Sequence, residues 1–224
     1  MRRRTMLALL GALSAAPPAA WAAGDSREPA GEAFPLLTGY LAMRASERNL
    51  FYPAYRAARH GRLEPGTRAQ VVGGAGGVAF PISIDRLGFV ARLPTLADLR
   101  SGAQIVFEGE AYRFQLEARA ALAPSSHPDP AVLTRALAQL NGATGTLAGR
   151  FAFLIPRLTA AFFPEGGGGH VGFADGHTAP LPLFQTTFDG PTPYFEPRRF
   201  AGATTILLYQ APTRITLGIP RLIG

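Results

Sequence analysis

Pro164 to Phe184 reads PEGGGGHVGFADGHTAPLPLF. Four glycines lead into His170, and Asp175-Gly176 leads into His177. Two readings compete for this stretch. As a chemical site, His170, Asp175 and His177 are a candidate ligand set, because imidazole and carboxylate both suit Zn or a similar ion. As a fold element, His170 to Ala174 is a strand and Asp175-Gly176 the two-residue turn of a type I′ hairpin. That turn sets Ala174 opposite His177 and leaves His170 several residues down the strand. The glycines then serve the path of the chain.

Outward from this hairpin, composition favours β structure. The chain of 224 residues is 47% hydrophobic, enough for a packed core, and its 26 Gly and 20 Pro point to turns and short strands. From Leu50 to Leu122 six short strands follow one another, with Phe114, Leu116 and Ala118 alternating with Arg113, Gln115, Glu117 and Arg119. Such spacing predicts a small sandwich or barrel. Asp129-Pro130 opens the clearest helix: Asp129 is a good N-cap and Pro130 suits the first helical position. Val132, Leu133, Ala136, Leu137 and Leu140 form its apolar stripe, and Asn141-Gly142 is a natural stop. After it come an apolar run at Phe151–Ile155 and further strands to Ile219.

The expected fold is therefore mostly β, with two small β-sandwich-like modules joined by one α-helix. The division is a signal peptide at 1–22, an N-terminal arm and short helix at 23–49 and a first β module at 50–123. A linker and helix at 124–150 and a second β module at 151–224 complete it. The modules also suggest an internal duplication. A shift of 101 pairs Pro81 with Pro182, Ile105 with Ile206, Arg113 with Arg214 and Leu116 with Leu217.

Arg2, Arg3 and Arg4 precede a short apolar run, Met6 to Ala16, and Ala20-Trp21-Ala22 is an A-x-A cleavage site. A periplasmic or secreted location follows, by Sec export or, given Arg3-Arg4, by the twin-arginine route. No later stretch is long enough for a transmembrane helix. The 22 basic residues are all Arg; without the first three, 19 Arg face 15 acids, a dispersed net +4. That charge lacks the dense basic patch of a nucleic-acid binder.

The inventory closes several chemistries. Without Cys there is no thiol nucleophile or disulfide staple, and without Lys no Schiff base, Ser-Lys dyad or phosphate-binding P-loop. No Ser sits in a G-x-S-x-G elbow and there is no H-E-x-x-H pair. Carboxylates are available at Asp85, Asp98, Glu108, Glu110, Glu117, Glu165, Asp189 and Glu196, none of them in a motif. His60 and His127 read as loop residues. No cofactor is implied. Tyr194 and Phe195, in an aromatic cluster after the hairpin, are the candidate binding residues for a partner or a sugar polymer.

Leu50-Phe-Tyr-Pro-Ala-Tyr55 and Leu93-Pro-Thr-Leu-Ala-Asp-Leu-Arg-Ser-Gly102 resemble segments of uncharacterised exported proteins of proteobacteria. The resemblance implies an envelope location and assigns no activity or site. Three functions stay open. The first is a non-catalytic exported protein that binds a partner or a cell-envelope component. The second is a metal-assisted hydrolase using His170, Asp175 and His177, and the third an envelope polysaccharide-binding module.

Overall fold

A computed structural model describes residues 26–59, 62–63, 69–108, 113–149, 156–186 and 188–220. The expected signal peptide, His60, Glu110 and Phe151–Ile155 lie outside the described residues. The protein is mostly β, 36% strand against 22% helix.

The described residues begin with β1 (Ser26–Pro29), α1 (Ala30–Ala33) and α2 (Leu37–Ala42). Then come β2 (Phe51–Arg59), β3 (Arg62–Leu63), β4 (Ala69–Val72), β5 (Phe80–Pro81), α3 (Leu96–Arg100), β6 (Gln104–Phe107) and β7 (Arg113–Ala120). After α4 (Pro130–Ala148) follow β8 (Ala160–Phe162), β9 (Gly169–Phe173), β10 (Thr178–Pro180) and β11 (Leu183–Thr186). The last are β12 (Gly190–Phe195), β13 (Ala203–Leu208) and β14 (Thr216–Gly218).

They form three antiparallel sheets, ordered β1-β6-β4-β5, β10-β9-β13 and β11-β12-β8-β14-β7-β2-β3. The seven-stranded sheet crosses the boundary between the expected modules. Its seam is β14, which pairs with β7 through Thr216↔Arg119 and Leu217↔Ala118 and with β8 through Thr216↔Phe162 and its neighbours. Pairing order is the same in both halves. In the first, hairpin β4–β5 lies beside β6 and β2 lies beside β7. In the second, hairpin β9–β10 lies beside β13 and β8 lies beside β14.

Helix α4 is more than a connector. Asp129 caps it, its carboxylate accepting from the N–H of Ala131 at 2.7 Å and of Val132 at 3.3 Å. The buried stripe Leu133, Ala136, Leu137, Leu140 and Ala143 packs with Phe51, Phe163, Phe195, Ile206 and Leu217 in the larger core. A fully buried Leu or Phe of this kind contributes about 1.5–3 kcal/mol. The helix passes the stop expected at Asn141-Gly142. Asn141 turns outward from that role: its side-chain amide donates to Leu158 O and its carbonyl accepts from Leu158 N, both at 2.9 Å. Buried Ala143 and packed Leu147 carry the helix on to Gly149, where φ is 52°. A second core gathers Phe34, Leu37, Tyr55, Val71, Ile105, Phe107 and Phe114 under the four-stranded sheet.

The hairpin at Pro164–Phe184 is present, with a different turn. Phe173, not Ala174, faces His177: Phe173 N donates to His177 O at 3.1 Å and Gly176 N to Phe173 O at 3.0 Å. Ala174-Asp175-Gly176 is thus a three-residue loop. A type I′ turn needs positive φ at both central residues, and here only Gly176, at 85°, has it. The glycines leading in have a packing reason. A Cβ on Gly169 would stand 2.3 Å from Leu207 O, and one on Gly168 would stand 2.8 Å from the Tyr209 ring.

Candidate functional site

Strand alternation places the proposed metal ligands on different faces. Val171 is buried in the larger core and Phe173 packs against it; His177 stacks on Phe173 with ring centroids 4.0 Å apart. His170 is out of phase with both. It pairs with Leu207 and Pro180 and lies against Tyr209, centroids 5.7 Å apart, on the outer face. Asp175 and His177 do meet: His177 Nδ1 contacts Asp175 Oδ1, and His177 N donates to the same oxygen at 3.2 Å. The His177 side chain, its main hydrogen-bond partner, holds the Asp175 carboxyl below its ordinary range. Among the described residues, no three His, Cys, Asp or Glu side chains come together to hold a metal ion. Tyr194 and Phe195 are core residues, 6% and 1% exposed, and pack in two separate hydrophobic clusters. His127 is exposed, its Nδ1 2.9 Å from Ser126 Oγ.

The strongest chemistry lies elsewhere, on the other face of the seven-stranded sheet. β2 and β7 pair Ala54 with Glu117, Tyr52 with Arg119 and Arg56 with Gln115, so Arg56, Glu117 and Arg119 share a face. Arg214, two residues before Thr216, joins them from the approach to β14. Two hairpin tips close over the group. Residues 84–90 fold back on β2 through the bridge Arg56↔Phe89. Asp85 holds that tip, its carboxylate accepting from Leu87 N at 2.9 Å and Phe89 N at 2.8 Å. The β11–β12 tip brings Phe188 and Asp189, with Asp189 N donating to Thr186 Oγ1 at 3.0 Å.

Glu117 Oε1 accepts from Arg119 Nε at 2.8 Å and from Arg214 Nε at 3.0 Å, while its Oε2 is 3.7 Å from Arg56 Nη2. Asp189 Oδ2 accepts from Arg214 Nη2 at 2.6 Å, and its Oδ1 lies 3.5 Å from Arg56 Nη2. One ring, Phe89, packs against three guanidiniums, with Arg119, Arg56 and Arg214 at 3.8, 4.3 and 5.2 Å from its centre. Phe188 covers Arg56 at 4.8 Å. The Arg56 and Arg214 side chains are 5% and 3% exposed.

Burial shapes the electrostatics. Desolvation is the main influence on Arg56 and lowers its guanidinium from the usual value; Glu117 and Asp189 pull the other way and Arg214 adds to the lowering. Desolvation acts likewise on Arg214, yet the hydrogen bonds and charges of Asp189 and Glu117 outweigh it and hold that group above its ordinary value. Among the described residues, Arg56 Nε and Arg119 Nη2 are buried without a hydrogen-bond partner. Among the described residues three cations meet two anions here, and their ion pairs tie β2, β7, the approach to β14 and the β11–β12 tip together. Glu117 and Asp189 sit against the same arginine and act as acceptors.

Sequence reading placed Glu117 and Arg119 on a solvated face and missed this cluster. One signal was available: Arg56 interrupts the apolar run Phe51–Ala58, and a cation buried there requires partners from elsewhere in the chain.

The outer face of sheet β10-β9-β13 is the exposed counterpart. Leu207 is 47% and Tyr209 66% exposed, beside His170, Pro180 and Thr205. No protein-family model, curated protein or solved structure matches the chain. Among the described residues no helix is long and apolar enough to cross a membrane.

Proposed function

We propose that the protein is an exported, non-catalytic periplasmic protein that binds a cell-envelope component through the outer face of sheet β10-β9-β13. One observation carries this reading. Leu207 and Tyr209 stand exposed, side by side with His170, on a face whose neighbours are small and uncharged. Apolar side chains grouped this way mark interaction surfaces when they are not isolated. The fold proposed with it is a duplicated β unit. The repeated pairing order of β2, β4–β5, β6 and β7 in β8, β9–β10, β13 and β14 supports it. The test is co-sedimentation of the mature protein with purified cell-envelope fragments, wild type against the double variant Leu207→Thr, Tyr209→Thr. Retention of the wild type and about a tenfold loss in the variant is expected, the worth of roughly 1.4 kcal/mol. Equal retention of both, or none, sinks the reading, as would hydrolysis of generic esters or glycosides by the purified protein.

A polysaccharide-binding module is the second reading, and Tyr209 favours it. Its ring rests on the backbone at Gly168, half free to stack on a sugar. Loss of polysaccharide retention in Tyr209→Ala, with Leu207→Thr unaffected, would select this reading over the first.

A further inference from the structure

We infer that the Arg56–Glu117–Arg119–Arg214–Asp189 cluster is a binding site for one carboxylate group. Among the described residues the charges do not balance: three guanidiniums meet two carboxylates on a face closed by Phe89 and Phe188. Arg214 is satisfied through Nε by Glu117 and Nη2 by Asp189. The surplus therefore falls on Arg56 and Arg119, and these two carry the buried N–H donors that lack an acceptor among the described residues. A buried cation left uncompensated, with donors unmade, is costly. One carboxylate supplies the single missing charge and acceptors for N–H groups from both arginines. A phosphate dianion overshoots the charge by one and stands beside Glu117 and Asp189. Entry is from the side where Glu117 and Arg119 are 21% and 14% exposed. Phe89 and Phe188 cover the guanidinium faces, which leaves the planes' edges for acceptors.

The site is on a different sheet from the face around Leu207 and Tyr209, so either can fail without the other. The experiment is isothermal titration of the mature protein at constant ionic strength. The probes are acetate, inorganic phosphate, chloride, and a short neutral peptide with a free or an amidated C-terminus. Saturable one-to-one binding of acetate, or of the free-ended peptide and not its amide, is expected; the first outcome points to a small acid and the second to a chain terminus. Arg119→Gln should weaken it at least about tenfold, since a hydrogen bond to a charged group is at stake. Arg119→Lys, which keeps the charge, should lose less, and circular dichroism identifies any variant that has unfolded. No carboxylate binding, a preference for phosphate, equal binding of peptide and amide, or full affinity in folded Arg119→Gln would each overturn the site.

Discussion

The two smaller sheets share a strand order and differ in what lies beside their third strand. In the first half β6 is held between β4 and β1, with Ser26↔Phe107 to Pro29↔Gln104 paired and Ala30 N donating to Ala103 O at 2.8 Å. Val106, flanked by Arg27 and Gln70, is 6% exposed. In the second half β13 has β9 on one side, and from the other only Ser126 O, which accepts from Leu208 N at 2.8 Å, reaches its backbone among the described residues. Leu207, the residue shifted by 101 from Val106, is 47% exposed. Pro128 and Pro130 explain part of the difference, for neither has an N–H to continue a ladder where Glu28 and Ala30 do. The bridge positions diverge as well. Arg56 faces Phe89 in one half, and Phe162 faces Tyr194 in the other. One position is ionic and the other aromatic, with Phe162 and Tyr194 centroids 5.4 Å apart. Pairing order alone thus leaves the chemistry of a face open; its neighbours decide it.

The strongest way to break this comparison is at the ionic position. Arg214→Met removes a cation shared by Glu117 and Asp189, and should cost about 3–5 kcal/mol in urea unfolding, because both carboxylates lose a close partner in a covered site. A loss under about 1 kcal/mol would mean that water, not Arg214, satisfies those carboxylates. Leu133→Ala in α4 and Leu37→Ala in α2 come next, each expected to cost about 2–5 kcal/mol. Since β14 stitches the halves into one sheet, both variants should lower a single shared unfolding midpoint. Two separable transitions would return the halves to independent modules.

Smaller effects sharpen the contrast between the two hairpin turns. Asp98, on α3, reaches across to the β4–β5 turn, accepting from Ala75 N at 3.1 Å as well as from Thr95 N at 2.9 Å and Thr95 Oγ1 at 2.7 Å. Asp98→Ala should cost about 1–2 kcal/mol, the worth of a cap. The hydrogen bond from the Thr95 side chain, as the main cause, holds the Asp98 carboxyl below its ordinary range in the folded protein. Its contribution is therefore present above the unfolded value and lost as pH falls through the folded one. The gap between wild type and Asp98→Asn, followed by unfolding at decreasing pH, should close in that acid window; a gap that persists there contradicts the assignment. Asp175 ties its turn only to its own neighbour His177, so Asp175→Ala should cost less than Asp98→Ala. Least of all, Leu207→Thr should move stability by no more than about 0.5 kcal/mol, as expected of an exposed site.

Much of the fold was legible because local chemistry and tertiary outcome agree. Asp129-Pro130 started the long helix, and the stripe Leu133 to Leu140 found the core. The hairpin around Asp175 formed where its turn residues stand, with a three-residue loop in place of the expected two-residue turn. What escaped was set by partners far along the chain. Leu116 was expected inside and Glu117 and Arg119 outside; Leu116 is exposed and the other two are largely covered, because tips from residues 84–90 and β11–β12 fold over their face. Contacts such as Arg214 to Glu117, 97 positions apart, leave no periodic trace. Tyr194 and Phe195 illustrate the same limit: an aromatic pair reads alike whether it meets a ligand or Phe162 and Phe200.

The position of β14 bears on the order in which the protein can be assembled. Among the described residues it follows every other strand, yet it lies between β7 and β8 at the middle of the largest sheet. A chain emerging N-terminus first holds β2–β7 and β8–β12 as two groups with bare inner edges until Thr216–Gly218 arrives. Unpaired edges of that kind recruit other strands. The closing step joins residues about 100 positions apart, a slow class of contact. Refolding should therefore be slow and concentration-sensitive, and the last few residues of the described chain should control its yield out of proportion to the area they bury.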